Sequence, residues 1–386
     1  MNKPHKYTRL RNTLAEREQN NQYRHPRITG SAQQPHMQID GKPALAFCSN
    51  DYLGLANHPL ITKAFQDAAN EYGVGSGSAH LITGHSKPHQ ALEEALAAFT
   101  GRDRALLFST GYMANLGVVS ALMQRGDIVY QDKLNHASLL DAARLSDAKL
   151  LRYAHNDMTH LHQRIAKQAS GQSMILADGV FSMDGDIAPV RELAAVAERN
   201  DSWLMIDDAH GMGVLGEHGA GLIEQEQLGQ DDVHILMGTL GKGFGTSGAF
   251  VAGSHELIEY LIQTARTYIY TTAQPPAIAA ATLASLKLVR SENWRREHLR
   301  DLIKQFRDGA DQLSLTLMES QTPIQPIMVG DSGEALAMAK KLEQQGILVT
   351  AIRPPTVPAN TARLRVTLSA AHTKEDVERL LAALGS

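Results

Sequence analysis

The sequence predicts an α/β fold: a large, mostly parallel sheet domain followed by a smaller C-terminal α+β domain. Three observations predict it. Five short apolar runs recur, Ala105 to Phe108, Ile128 to Tyr130, Met174 to Ala177, Trp203 to Ile206 and Ile235 to Met237. None alternates apolar with polar, as expected of strands buried on both faces. Amphipathic stretches such as Ala114 to Met123, Leu139 to Leu145 and Arg191 to Arg199 separate them, which is the strand–helix repetition that builds a parallel sheet with right-handed crossovers. After Gln274 the repetition gives way to a different order of elements.

Residues 1–45 read as an N-terminal segment. Leu10 to Gln22 is helix-like but polar, and Tyr23-Arg24-His25-Pro26 ends it, because the residue before proline disfavours helix. The stretch QIDGKPALAFCS reads as a hairpin turning at Asp40-Gly41. Residues 46–280 hold the βα series and form the large domain. Residues 281–386 form the small one. From Pro275 to Leu313 two helices follow one another. Then come a strand (Ile324 to Val329), a helix (Ser332 to Gln345), strands over Ile347 to Ala351 and Thr361 to Thr367, and a last helix (Lys374 to Leu384).

Composition excludes several classes of function. With 43% hydrophobic and 20% charged residues, the 386-residue chain can bury a large core. Lys and Arg number 37 against 41 Asp and Glu, a net charge of -4. Nucleic-acid binding would need a basic surplus instead. One cysteine, Cys48, precludes an internal disulfide, fits a reducing compartment, and reads as a small buried hydrophobe. Met1 to Asn21 is polar throughout, and no later stretch approaches ~20 uninterrupted apolar residues, so neither a signal peptide nor a membrane span is expected. The expected location is cytoplasmic.

Ligands of open parallel sheets bind beyond the carboxyl ends of the strands. There this sequence places Ser109-Thr110-Gly111-Tyr112 after the first run and His136 after the second. Asp178 and Ser182 follow the third, Asp207, Asp208 and His210 the fourth, and Thr239 and Lys242 the last. The stretch around Lys242, GTLGKGFGTSG (Gly238 to Gly248), sets one amine among five glycines. A P-loop would need a hydroxyl residue after the lysine and two more residues between the glycines. A dinucleotide fingerprint fits Gly243-x-Gly245-x-x-Gly248, but Ala249-Phe250-Val251 reads as a strand where that motif requires a helix. The third reading is a Schiff-base lysine that holds pyridoxal phosphate (PLP), with the glycines admitting close approach. The other strand ends then supply what PLP needs. Asp207 would face the pyridinium nitrogen, and His210 would reach the ring's O3′. Gly111 and Tyr112 at a helix start, with Thr239 and Ser182, would take the phosphate, and His136 would stack on the ring.

The stretches SNDYLGL (Ser49 to Leu55), HASLLDA (His136 to Ala142), GVFSMDGDIAPV (Gly179 to Val190), DDAHGMGVLG (Asp207 to Gly216), GTLGKGFG and RPPTVP (Arg353 to Pro358) resemble the α-oxoamine synthases, PLP-dependent enzymes of the aminotransferase fold type I. The similarity runs from about residue 10 to the end. It implies decarboxylative condensation of an amino acid with an acyl thioester, in a homodimer with its active site at the subunit interface. It assigns Lys242 to the imine with PLP, Asp207 to the ring nitrogen, His210 and Ser182 to the O3′ side and His136 to stacking. Gly111, Tyr112 and Thr239 take the phosphate, and Thr271 or Thr272 reaches the neighbour's phosphate. Arg24, Asn50, Thr356 and Arg353 would contact substrate, Arg353 as a bidentate partner for a carboxylate. AHNDMTHL (Ala154 to Leu161), TTAQPP (Thr271 to Pro276) and the stretch from Thr350 to Thr373 most resemble members that join L-alanine to pimeloyl-CoA or pimeloyl-acyl-carrier protein in biotin synthesis. One stretch departs from the family. Its usual Gly-Ser-Gly-Gly-Ser-Arg is here Gly75-Ser76-Gly77-Ser78-Ala79-His80.

Rival readings are a sibling enzyme acting on glycine with acetyl-CoA or succinyl-CoA, and an aminotransferase of the same fold. A methyl group discriminates by only ~1–3 kcal/mol in an apolar pocket, so the siblings stand close. From another class, His155, Asp157, His160 and His162 in HNDMTHLH would be the ligands of a metal-dependent hydrolase. No H-E-x-x-H pattern accompanies them.

Overall fold

A two-residue turn organises the first sheet. Asp40 (φ 51°) and Gly41 (φ 77°) both take positive φ, which the tight hairpin turn requires and Asp-Gly readily adopts. They join β1 (His36–Ile39) to antiparallel β2 (Lys42–Ala46), as the sequence predicts. The computed structural model describes residues 5–20, 22–168 and 171–386. The predicted polar helix spans His5–Gln19; Asn21, within the predicted range, lies outside the described residues.

The chain divides into two units. The larger comprises residues 50–182 and 186–300, the smaller residues 1–49, 183–185 and 301–386. Of the bounds drawn from sequence, 45/46 falls within β2, which belongs to the smaller unit, and 280/281 falls within helix Pro276–Ser291, which belongs whole to the larger unit. There it packs on helices Pro59–Tyr72 and Lys87–Thr100.

The larger unit holds β3 (Arg104–Phe108), β4 (Ile128–Asp132), β5 (Lys149–Tyr153), β6 (Ser173–Asp178), β7 (Trp203–Asp207), β8 (Ile235–Thr239) and β9 (Ala249–Gly253). They form one sheet in the order β3-β9-β8-β7-β6-β4-β5. Neighbours from β8 to β5 are parallel, and β9 alone runs antiparallel to its neighbours β8 and β3. The mostly parallel sheet is therefore present. β4, β6 and β9 are buried along their whole length, which is why their runs do not alternate. β5 escapes the search for apolar runs because it is the sheet edge, with Lys149 and Arg152 exposed. The core between the sheet and its helices includes Leu106, Val119, Met174, Met205, Met237 and Val251, each no more than 1% exposed. Burying one such side chain contributes roughly 1.5–3 kcal/mol. Register levels the carboxyl ends: Asp178 pairs with Asp207, and Asp207 with Met237.

The smaller unit adds β10 (Ile324–Gly330), β11 (Ile347–Leu348), β12 (Thr350–Ile352) and β13 (Ala362–Thr367). The single strand expected over Ile347 to Ala351 is two strands in different sheets. β11 adds to β2 in parallel, whereas β12 pairs antiparallel with β13. Each half follows an edge offered by a distant segment, which local pattern does not register. Cys48 packs against Met37, Ile39 and Ala46, and burial pushes its thiol pKa up, so it behaves as a small apolar side chain.

Candidate active site

Beyond the ends of β6, β7 and β8 lies a cavity of about 200 Å³. Gly111, Tyr112, His136, Ser182, Asp207, His210, Thr239 and Lys242 line it together, with Asn115, Ser138, Asp178, Val180, Ala209 and Met237. Eight of the candidate residues thus meet in one place although 131 positions separate the first from the last (242 − 111).

Lys242 sits on the connection from β8 to antiparallel β9, residues 240–248. The strand after the glycines removes the dinucleotide reading, since no helix starts there. Two glycines are required by close packing. A Cβ on Gly243 would lie 2.3 Å from the Met212 carbonyl oxygen, and one on Gly245, at φ +65°, would lie 2.5 Å from Ala56 N. Both distances are too short for any larger residue, so the loop carrying the lysine is pressed onto neighbouring backbone. Lys242 Nζ lies 2.8 Å from His210 Nε2. On the ring's far side, His210 Nδ1 is 2.6 Å from the hydroxyl of fully buried Tyr52, which donates to Asn50 Oδ1 at 3.2 Å. Asn50 does not line the cavity but is connected to Lys242 through this chain of contacts.

Asp207 ends β7 and is 5% exposed. Its Oδ1 accepts from Ala209 N at 3.1 Å, and its Oδ2 from Asn115 Nδ2 at 2.7 Å. Burial and the neighbouring Asp207 push the Asp178 carboxyl well up, and burial lifts Asp208 to about 8. Asp208 is therefore held protonated at neutral pH. Asp208 has a structural role: its Oδ2 accepts from Leu222 N at 2.7 Å. His136 caps helix Ala137–Leu145. The protein packed around its ring lowers the pKa, Asp207 opposes this, and Lys242 adds to it, so the ring is neutral at neutral pH. Tyr112 crosses it edge-on, with centroids 6.4 Å apart, while its hydroxyl donates to Asp141.

Helix Gly111–Leu122 starts at the cavity, capped by Thr110, whose Oγ1 accepts from Met113 N at 3.1 Å. The N–H groups of Gly111 and Tyr112 precede any intrahelical partner, and such a helix start, with its dipole, suits an anion.

Other candidates stand elsewhere. Thr271 and Thr272 do not line this cavity; Thr272 bridges to Ala79. Arg24, Arg353 and Thr356 belong to the smaller unit. There burial lowers the pKa of Arg353, and the charge of Arg24 lowers it further, while Thr356 N donates to Arg353 O at 3.0 Å. The HNDMTHLH residues are engaged separately. His155 bonds Asp132 and Asp186 at 3.0 and 2.7 Å, Asp157 caps a helix, and His160 accepts from Ala154 N at 3.0 Å. They do not converge as a hydrolase metal site would.

His80, at the family departure, opens a single wide helical turn (His80–Gly84) closed by Gly84 N donating to Ala79 O at 3.0 Å. Its Nδ1 lies 2.9 Å from that of His85, and its ring stacks on Tyr268 with centroids 5.0 Å apart. His89 is bonded at both nitrogens, to Ser86 and to the Gln274 carbonyl at 2.8 Å. This is a closed hydrogen-bonded cluster beneath the 271–274 segment. Burial lowers the His80 pKa to about 3, so His80 brings no charge to the position where the family carries arginine. Between pH 6.5 and about 3 the unfolded chain binds a proton there that the folded chain does not, so stability rises with pH across this window and is lost as pH falls. We expect His80→Phe to flatten that slope by up to about 1.4 kcal/mol per pH unit, read from urea midpoints between pH 7 and 4. Parallel curves for variant and parent would contradict it.

Sequence reading missed the polar residues Asn115 and Ser138, which line the cavity, and Tyr52, which reaches it only through His210. Asn115 carries a faint signal: a lone amide in the apolar helix stretch Ala114 to Met123.

The chain matches the aminotransferase class I and II family over residues 42–384. It is 61% identical to an 8-amino-7-oxononanoate synthase of Pseudomonas syringae pv. tomato, over 97% of this chain and 94% of that one. Identity is 60% to the 8-amino-7-oxononanoate synthase of Pseudomonas putida, over 96% and 95% of the two chains. Among solved structures, the serine palmitoyltransferase of S. paucimobilis carrying a PLP–myriocin aldimine superposes with a TM-score of 0.93 at 30% identity, covering 98% and 97%. An 8-amino-7-oxononanoate synthase from Francisella tularensis superposes at 0.77 with 34% identity, covering 89% and 97%. The cavity at the strand ends, the lysine loop and these full-length similarities lead to one conclusion: the chain belongs to the aminotransferase class I and II family.

Proposed function

We propose that this chain is a PLP-dependent acyltransferase. It condenses L-alanine with a pimeloyl thioester of coenzyme A or acyl-carrier protein, giving 8-amino-7-oxononanoate, CO2 and the free thiol, a step of biotin biosynthesis. The observation that carries the reading is the convergence of Lys242 and Asp207 on one cavity, in a chain 61% identical to an enzyme of that name.

The residues fit PLP. Asp207 is a buried carboxylate held by two hydrogen bonds, suited to a protonated ring nitrogen. The start of helix Gly111–Leu122 with Thr239 and Ser182 suits a phosphate. His210 reaches Lys242 Nζ and would serve the ring oxygen. When bound, PLP withdraws electrons and stabilises negative charge at the amino acid's Cα. Lys242 would hold the cofactor through Nζ, and its amine, when free, would take the Cα proton as a general base. His136, beside Asp207 and Lys242, would stack on the ring and hydrogen-bond the ketone oxygen that is restored when the thiol leaves the attacked thioester. Arg353 with Arg24, Asn50 and Thr356 bind the substrate's carboxylate and acyl chain, bidentate pairing being the capacity of a guanidinium.

The working form in this reading is a homodimer with Thr271 or Thr272 reaching the neighbour's phosphate. Val74, Leu81, Ile82 and Tyr270, each within five positions of Ala79 or Thr272 in sequence, are 90, 48, 76 and 72% exposed, apolar surface of the kind a second copy covers. The place of action is cytoplasmic. Among the described residues no helix is long and apolar enough to cross a membrane.

Free-thiol release tests the reaction. Purified protein with PLP should release thiol from pimeloyl-CoA with L-alanine, and at a much lower rate from acetyl-CoA with glycine. A preference for the second pair would replace this reading by the sibling activity.

A further inference from the structure

We propose that Asn115 and Ser138 are positioning residues that hold His136 in the tautomer protonated at Nε2, so that its ring offers a hydrogen-bond donor to the cavity. Counting protons leads there. Asp207 Oδ1 takes the Ala209 N–H at 3.1 Å, and its Oδ2 faces the Asn115 amide at 2.7 Å. Only the NH2 end of an amide satisfies a carboxylate oxygen at that distance; the oxygen end would leave two acceptors facing each other. The amide's second hydrogen goes to Ser138 Oγ at 2.8 Å. Ser138 Oγ therefore accepts from Asn115, and its single proton is left for His136 Nδ1, 2.7 Å away. The Ser138 backbone N–H points at the same nitrogen from 3.3 Å. With two donors aimed at it, Nδ1 of the neutral ring carries the lone pair and Nε2 carries the hydrogen.

Burial makes the arrangement rigid. Asn115 is fully buried and Ser138 is 1% exposed, so water does not compete for their hydrogens. Each link therefore has one polarity, from Asp207 through Asn115 and Ser138 to His136. The carboxylate that faces the cofactor's ring nitrogen in the proposed reaction thereby also determines which nitrogen of His136 is a donor. The chemical consequence rests on that reaction: a ring protonated at Nε2 stabilises a ketone oxygen or a developing oxyanion, which the other tautomer cannot do.

The test separates the hydrogen-bond relay from the reaction. Long-range 1H–15N NMR of the histidine-labelled chain, without and with PLP, reports the tautomer directly, and loss of signals in His136→Asn identifies the ring. We expect the parent ring to be protonated at Nε2. Ser138→Ala should give a mixture of tautomers, and Ser138→Thr, which keeps the hydroxyl, should restore the parent form. With L-alanine and pimeloyl-CoA, Ser138→Ala should lower kcat about 10-fold, the scale of one net hydrogen bond, leave KM for alanine unchanged, and be rescued in Ser138→Thr. Asn115→Leu should show the same tautomer mixture if it folds. Parent rings protonated at Nδ1, or a parent-like tautomer in Ser138→Ala, would overturn the relay. An altered tautomer with unchanged kcat would overturn its part in the chemistry. A parent protein that releases no thiol would instead sink the proposed reaction, and the NMR result would decide the relay on its own.

Discussion

Replacing Lys242 by alanine should abolish turnover while leaving a folded chain that still takes up PLP. Lys242 is asked to do two things: to hold the cofactor through a covalent bond, and to move a proton at Cα. The second alone is worth roughly 10²–10⁴-fold, and thiol release from pimeloyl-CoA should fall by at least the upper end of that range. Folding should survive, because the Gly243 and Gly245 contacts that seat the loop do not involve the lysine side chain. The variant loses the contact from Nζ to His210 Nε2, a partly buried one. Borohydride treatment followed by peptide mass analysis makes the check decisive. The parent should acquire the mass of the reduced cofactor on the peptide containing Lys242, and the variant should acquire none. A variant that turns over at the parent rate would remove the lysine from the chemistry.

The second large effect belongs to Asp207. Asp207→Asn keeps the shape but replaces a fixed negative charge, set to complement positive charge on the cofactor, with a dipole. Electrostatic groups preorganised in this way are worth on the order of 10²–10³ in kcat, and a loss of that size is expected with PLP still bound. Asp207→Ala is the harsher change, since it strands the buried Asn115 amide, at about 1–3 kcal/mol of stability. The ratio of the two variants therefore separates charge from packing. Thiol release measured beside the thermal midpoint reads both. An Asp207→Asn enzyme within twofold of the parent would mean that the carboxylate does not face the reacting system.

Much of this was legible in the chain before folding was considered. Apolar runs without alternation announced buried parallel strands, and a parallel sheet gathers the residues just past its strands at one edge. The positions of Lys242, Asp207, His136, His210 and Gly111 relative to their strands were enough to place them in one crevice. The Asp40-Gly41 hairpin was equally local, a matter of two residues tolerating positive φ. Less local features were not legible. β5 hid because an edge strand needs no apolar run, and the stretch after Ile347 divided between two sheets because each half paired with a remote edge. His80 looked like a lost arginine; folded, it is a neutral ring on Tyr268.

By itself the sequence determined which chemical groups stand at which strand ends, since strand direction and spacing are set by the periodicity of apolar residues. Tertiary structure alone decided who holds those groups still. Tyr52 meets His210 across 158 positions and Asn115 meets Asp207 across 92. A hydrogen bond between buried side chains depends on distance and angle in space, and these exist only once the sheet and its helices have packed.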